Sequence, residues 1–433
     1  MKNSTKLLRL ALALTLLVSL SFQSCVEDKC DMTFSYARYS PVYMSQQAFE
    51  GAVEVLPATE VENPGKIYVK DNYLFVNEVG KGLHIFDYKT PENPQPLAFI
   101  NVPGNYDIAI NCGKLYLDSS KDLLVFDINN PAQPQLLSRV KNALPHIINY
   151  RGFTADPNQG VVVEWKQELV TEPYNCQTGV PAIWQQNQVT EQEVIENAGN
   201  LRGINPATAG VAGSMSRFAL ADEHLYVVSP TQLFVFDGQN CDQPALVNTI
   251  DLMQTGEAEM VTTGENLVLV GGTNGVSIFG TDDPSNPQYL STYEHMTACD
   301  PVVMDGDYGY LTLRNGRGER CGQSFTNQLD VIDLSNPAFP VMLNSFGMTN
   351  PHGLGIDEDL LFIADGSAGL RIFDASNPVR VGDNPVAHFP EMDGYDVIAF
   401  DKTLILVGDD GIALYDYSDP KNIAQLSSIP VAR

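Results

Sequence analysis

The chain has 433 residues, 53 of them acidic against 25 basic, for a formal net charge of −28. Such a balance offers no basic footprint for nucleic acid, and suits a self-repelling extracellular surface or partners that are neutral or cationic. The 44% of hydrophobic residues is enough for a large core.

From the N-terminus, MKNSTKLLR carries positive charge and LALALTLLVSL forms an apolar core of signal-peptide length, too short for a membrane span. The segment ends in SFQSC at Cys25 and resembles a bacterial lipoprotein signal. Residues 1–24 are then the signal peptide and Cys25 the lipidated residue. Ser24 fits that pattern; Phe22 and Gln23 depart from it, and an ordinary secretory signal is the alternative. The acidic run VEDKCD after Cys25 resembles the tether that sends lipoproteins of Bacteroidetes-type bacteria to the outer face of the outer membrane. Residues 25–65 combine this tether with a strand-like stretch, TFSYARYSPVYMS, expected to add a strand to an edge or to cover one end.

From residue 66 a phrase recurs about every 40 residues, the signature of a solenoid or propeller. It reads LHIFDYKTPENP from Leu83, LLVFDINNPAQP from Leu123 and LFVFDGQNCDQP from Leu233. It returns as VSIFGTDDPSNP from Val276, LDVIDLSNPAFP from Leu329, LRIFDASNPVRV from Leu370 and IALYDYSDPKNI from Ile412. The second unit shows the anatomy: DIAI, KLYL, LLVFDI and QLLSRV are short strands, separated by Asn-Cys-Gly, a polar stretch and NNPAQP. Proline ends the third strand because it cannot donate to a ladder. Four short strands per unit make one propeller blade. The Asp closing each phrase (Asp87, Asp127, Asp237, Asp333, Asp374, Asp416) reads as a turn cap, in which the carboxylate accepts from loop N–H groups.

The first strands align as KIYV at Lys66, DIAI at Asp107, HIIN at His146, RFAL at Arg217, EMVT at Glu259, DPVV at Asp300, HGLG at His352 and DVIA at Asp396. Eight starts predict an all-β propeller of eight four-stranded blades over 66–433. The seven proline phrases give seven blades as the alternative. The unit at His146 is degenerate and lacks the phrase; residues 165–213 form an insertion, with a short helix at Thr190–Asn197. Beyond Cys25 six cysteines remain, an even number suited to disulfides in an exported chain and allowing 15 pairings. Cys299 with Cys321, which bracket part of one blade, is the favoured pair.

The phrases LLVFDINNPAQP and LDVIDLSNPAFP resemble the LVIVD repeat of bacterial cell-surface proteins. The resemblance covers residues 66–430 apart from the insertion. It implies a β-propeller and carries no catalytic motif that could be transferred to this chain.

The eight strand starts share a polar or charged residue, and the first strand of a blade lies nearest the propeller axis. Lys66, Asp107, His146, Arg217, Glu259, Asp300, His352 and Asp396 are therefore expected to ring one mouth of the central channel as a ligand site. Its imidazoles and carboxylates would suit a divalent cation or acid–base work. The plainer reading is that a wet mouth accepts polar residues without any ligand. No zinc spacing, P-loop, GxGxxG or GxSxG pattern is present, so no cofactor is called for. GDDG at 408–411 and DGDYG at 305–309 read as turns. Trp165 and Trp184 read as packing, or as rings that stack sugars. The expected role is a binding module on the outer membrane for a protein or glycan ligand. An extracellular polysaccharide hydrolase or lyase and a structural envelope component are the alternatives.

Overall fold

The computed structural model describes residues 33–145, 149–150, 153–173, 211–212, 216–254, 256–295, 301–314 and 327–432. The signal peptide, Cys25, His146, Trp184, the helix at 190–197, Asp300, Cys299 and Cys321 lie outside the described residues. The described residues form a propeller of seven blades, each built on a four-stranded antiparallel meander. Blade 2 is typical: Ile108–Asn111 at the axis, then Lys114–Ser119, Asp122–Asp127 and Gln135–Val140 at the rim. The other blades run over 64–101, 218–251, 258–294, 302–347, 354–389 and 396–430.

Two local rules repeat around the ring. All six phrase aspartates accept a hydrogen bond from the backbone N–H two residues on, at 2.7–2.9 Å, so the turn-cap reading holds. In every blade the fourth strand also carries one extra residue against the third: Leu97, Leu137, Val247, Leu290, Leu343, Val386 or Leu426. A bulge of this kind bends the strand and increases its twist. The residue after the bulge then faces the next blade. Ser138 donates to Asp242 O at 2.6 Å, Ser291 to Pro337 O at 2.6 Å, Asn344 to Val379 O at 2.9 Å and Ser427 to Pro91 O. Each acceptor lies in the following blade's proline turn.

The core is divided among the blade interfaces. Between blades 7 and 1, for example, Ile405, Val407, Ile412 and Leu414 pack on Ile67, Val69, Val76 and Phe86. No strand is shared across this junction. Instead Val61 bridges Val431 in parallel, and the Ala432 N–H donates to Val61 O at 2.7 Å.

The eighth blade expected at His146 does not form. Its would-be strands are a two-residue pair, Asn149–Tyr150 with Phe153–Thr154, followed by Val161–Pro173. That last strand pairs along its length with Thr33–Met44 in a two-stranded ribbon. The physical reason is the partner. Without a proline phrase there is no third-to-fourth turn to return the chain, and the N-terminal strand offers a longer antiparallel match. The N-terminal segment also supplies a short helix, Gln46–Gly51, capped by Ser45, and the strand Glu54–Pro57, which widens blade 1 at its outer edge. At the inner edge of blade 1, Val211–Ala212 pairs with Val69 and Tyr68.

In each meander the starts of the first strands share one face, here called upper, with the second-to-third loops and the ends of the fourth strands. Ribbon and helix sit on that face. Ser120 donates to Val162 O at 2.7 Å, Asn101 donates to Ala52 O at 2.6 Å, and the Arg139 guanidinium lies 5.0 Å from the Phe49 ring. On the lower face a disulfide joins Cys112 of blade 2 to Cys241 of blade 3, with Cα atoms 6.3 Å apart. This pair was not selected by spacing. It spans the one junction within the chain where the linker between blades runs to some 75 residues, from 141 to 217. Because the bond closes a separation of 129 residues, replacing Cys112 and Cys241 together by serine should lower stability by about 3–5 kcal/mol. Urea unfolding with and without a thiol reductant measures it, the reductant having no further effect on the double variant at this junction.

Candidate functional site

Strand pairing fixes which residues are equivalent at the upper mouth. Ile67, Ile108, Phe218, Val261, Val302, Leu354 and Val397 oppose matching residues of their second strands. The positions just before them are Lys66, Asp107, Arg217, Met260, Pro301, Gly353 and Asp396. Four of the expected ring residues therefore share one register. His352 stands one residue earlier, an offset that turns a side chain to the other face, and Glu259 is the extra residue of an irregularity between Ala258 and Met260. Apolar and small residues at 260, 301 and 353 interrupt the ring. Gly353 is required, since a Cβ there would meet the Asp396 carboxylate.

Lys66, Asp107, Arg217 and Asp396 come from the adjoining blades 1, 2, 3 and 7. Lys66, Asp107 and Asp396 are buried, whereas the Arg217 side chain is 22% exposed. Lys66 Nζ lies 3.4 Å from Asp107 Oδ2. Arg217 gives its backbone N–H to the same oxygen at 3.0 Å, and its Nε lies 3.8 Å away. Its terminal nitrogen is 3.7 Å from Asp118 Oδ2, and its ζ carbon lies 5.8 Å from the Tyr106 ring centre. Asp118 Oδ1 accepts from Asn105 Nδ2 at 2.8 Å and from the backbone N–H groups of Tyr106 and Asp107 at 2.7 and 2.8 Å. Asn105 in turn accepts from Asn77 Nδ2 at 2.6 Å. The result is a buried polar chain running from blade 7 to blade 3.

Enclosure governs the protonation of this cluster. Burial draws the Lys66 ammonium down to about 7, against the opposing pull of Asp107. Burial pushes Asp107 up, while Lys66 and Arg217 hold it down. Asp118 is pushed up to about 6, again by burial, with Arg217 acting against the shift. His352 belongs to a different cluster on blade 6. Burial, and then the charge of Arg314, lowers it to about 3, so it is neutral at physiological pH. Its Nε2 lies 3.1 Å from Asn350 Nδ2. Nearby, Asp365 caps the backbone of Thr349 and Asn350 and pairs with Arg371 Nε at 2.8 Å. Among the described residues no three His, Cys, Asp or Glu side chains converge to hold a metal ion.

Sequence reasoning missed Asp118 because DSSKD reads as a polar loop. Its side chain is instead the acceptor at the end of a second strand. The signal that could have found it is the polar residue at the equivalent position of blade 1, Asn77.

The chain contains the LVIVD repeat, matched at residues 101–142, 324–347 and 352–381. These segments fall in blades 2, 5 and 6. No curated protein matches the sequence. Solved structures of similar fold include the computationally designed Ika8 protein, at 10% identity and TM-score 0.49 over 87% of this chain and 91% of that one. Hsv2p of Kluyveromyces lactis is similar at 12% identity and TM-score 0.44, over 86% of this chain and 97% of that one. BamB from Moraxella catarrhalis is similar at 9% identity and TM-score 0.45, over 88% and 98%.

Asp118 dictates a pH signature. Its folded pKa, about 6, lies above the unfolded value, so the native state takes up its proton first as pH falls. Stability from this group is complete below about pH 4 and is lost as pH rises through about 6. The turn carboxylates Asp127, Asp333, Asp374 and Asp416 are lowered by their hydrogen bonds and act oppositely, losing their contribution below about pH 4. Asp118→Asn should therefore flatten the melting temperature between pH 6 and 4 and leave the acid limb intact. Arg217→Met should raise the Asp118 titration above 6, seen by carboxyl-carbon NMR.

Proposed function

We propose that this LVIVD-repeat propeller is a binding module of the outer cell surface, tethered through a lipid on Cys25, and that its ligand enters at the upper channel mouth. The observation that carries the reading is Arg217. It is the partly exposed member of an otherwise buried charge cluster, and its ion-pair distances of 3.7 and 3.8 Å exceed hydrogen-bond length. Among the described residues its buried Nε has no hydrogen-bond acceptor. A guanidinium held in place by Tyr106 and two carboxylates, yet not saturated by them, is preorganised for a ligand. The Cys112–Cys241 disulfide supports export, because such bonds persist in oxidising compartments.

Two other readings have one observation each. A hydrolase or lyase acting on polysaccharide would draw on Lys66, whose ammonium is brought down to about 7. That nitrogen is enclosed, with the residue 1% exposed, so a polymer has no path to it. A structural envelope role would draw on Val211–Ala212, which lies along the inner edge of blade 1.

Both halves of the proposal are open to test. Cys25→Ala should move the protein from the membrane pellet to the soluble fraction and abolish fatty-acid labelling; retained label would refute the tether. For the mouth, the full chain is screened by thermal shift against divalent cations, oligosaccharides and peptides. A ligand that binds only the native state raises the melting temperature, and Arg217→Met should lose that rise. An equal rise in parent and variant would place binding elsewhere.

A further inference from the structure

We infer that Lys66 and Asp107 condense into a side-chain amide, a covalent cross-link that the chain makes for itself between blades 1 and 2. Lys66 lies in the first strand of blade 1, and Asp107 directly precedes the first strand of blade 2. Lys66 Nζ stands 3.4 Å from Asp107 Oδ2, with the two side chains 2% and 0% exposed. Groups held in contact in this way react as parts of one molecule, at effective concentrations that no solution reaches. The enclosure that keeps a polymer away from Lys66 leaves it facing Asp107.

The surroundings favour a bond over a lasting ion pair. Two buried charges lose hydration that their attraction repays only in good geometry, and 3.4 Å is long for a charge-assisted hydrogen bond. Burial, and then the charge of Arg217, draws the Lys66 ammonium down to about 7 against the pull of Asp107, while burial pushes Asp107 up. The pair thus has ready access to its neutral form, a free amine beside a carboxylic acid. A desolvated amine next to a second cation is an activated nucleophile. Asp107 is arranged as the electrophile. Its Oδ1 accepts the Ile108 N–H at 2.9 Å and its Oδ2 the Arg217 N–H at 3.0 Å. These backbone donors stabilise the negative charge that develops when the carboxyl carbon is attacked. Asp396 of blade 7 is buried, acts by its charge on Lys66, and supplies a carboxylate to carry the proton.

The step balances within the chain. The Lys66 Nζ lone pair attacks Asp107 Cγ, the C–N bond forms, and the carbonyl electron pair moves onto Oδ1. Asp396 takes one proton from the nitrogen and gives it to the Oδ2 hydroxyl. That oxygen leaves with the C–O electron pair as water, while Oδ1 returns to a carbonyl. One amine and one carboxylic acid become one amide and one water, with nothing oxidised or reduced. The product replaces a buried ion pair by a neutral group whose oxygen keeps the Ile108 hydrogen bond, and the dry site protects it from hydrolysis.

The test is tandem mass spectrometry of the full chain, reduced, alkylated and digested with trypsin. An amide on Lys66 blocks cleavage there, so residues 39–70 should appear joined to residues 90–114, lighter than their sum by one water. Fragment ions should locate the branch on Lys66 and Asp107. Recovery of the two segments only as separate peptides, with cleavage after Lys66, would overturn the inference, and so would a branch between any other pair. Lys66→Arg keeps the positive charge and should abolish the branched peptide. The same branched product in that variant would place the link elsewhere and overturn the bond. Asp396→Asn should slow the accumulation of linked chain after a pulse of synthesis by roughly tenfold or more, with an unchanged circular dichroism spectrum showing that the variant is folded. Accumulation at the parent's rate would overturn the part given to Asp396 in the proton transfer.

Discussion

Closure of the ring without a shared strand is the constraint on which this structure depends. Each four-stranded meander is drawn from one contiguous stretch of chain, so among the described residues no strand of blade 7 belongs to the sheet of blade 1. The junction is made by side chains and by one short stitch. An apolar cluster from both blades fills it, and Val61 and Val431 pair in parallel where other junctions have a covalent linker. Exposed sheet edges at the gap would otherwise invite pairing with other chains. Apolar burial is not directional, but the Val61–Val431 bridge and the Ser427-to-Pro91 hydrogen bond fix the register of the two ends.

The same lateral logic runs around the ring. In five blades the bulge in the fourth strand places a small polar side chain against the next blade's proline turn, and alanine at 98 and 387 marks the two blades that omit it. Where the chain departs for the cap between blades 2 and 3, lateral contact alone would have to hold the junction. A disulfide, the Tyr116 hydroxyl on Cys241 O at 3.1 Å, and Lys114 between Asp127 and Asp242 all meet there. The excursion that builds the cap is thus accompanied by extra bonds on the opposite face.

At the upper face, the charges follow from what each blade places at the start of its first strand. A buried charge is tolerated only with a partner. Lys66 lies between carboxylates of blades 2 and 7, so the cluster couples three blades around their closure. Arg217, at the end of this series, is left partly satisfied. Stability of the ring and the partial exposure of Arg217 therefore come from one arrangement of charges.

The propeller itself was legible in the sequence. Phrases with a β-branched run, an Asp and a proline turn recur because each blade solves the same local problem, and local rules of turns and strands are written in adjacent residues. The six aspartate caps were readable for the same reason. The blade number was not, because VVVEW at 161–165 reads equally well as a blade strand, and only the availability of Thr33–Met44 as a longer partner turned it into a ribbon. Nor was the ring of eight. A strand start can be displaced by one residue without disturbing its apolar pattern, and that displacement separates Met260 from Glu259 and Gly353 from His352. The tertiary structure decided which charges meet, that Asp118 belongs among them, and that Cys112 faces Cys241. Those contacts join residues far apart in the chain, and nothing in either neighbourhood encodes the other.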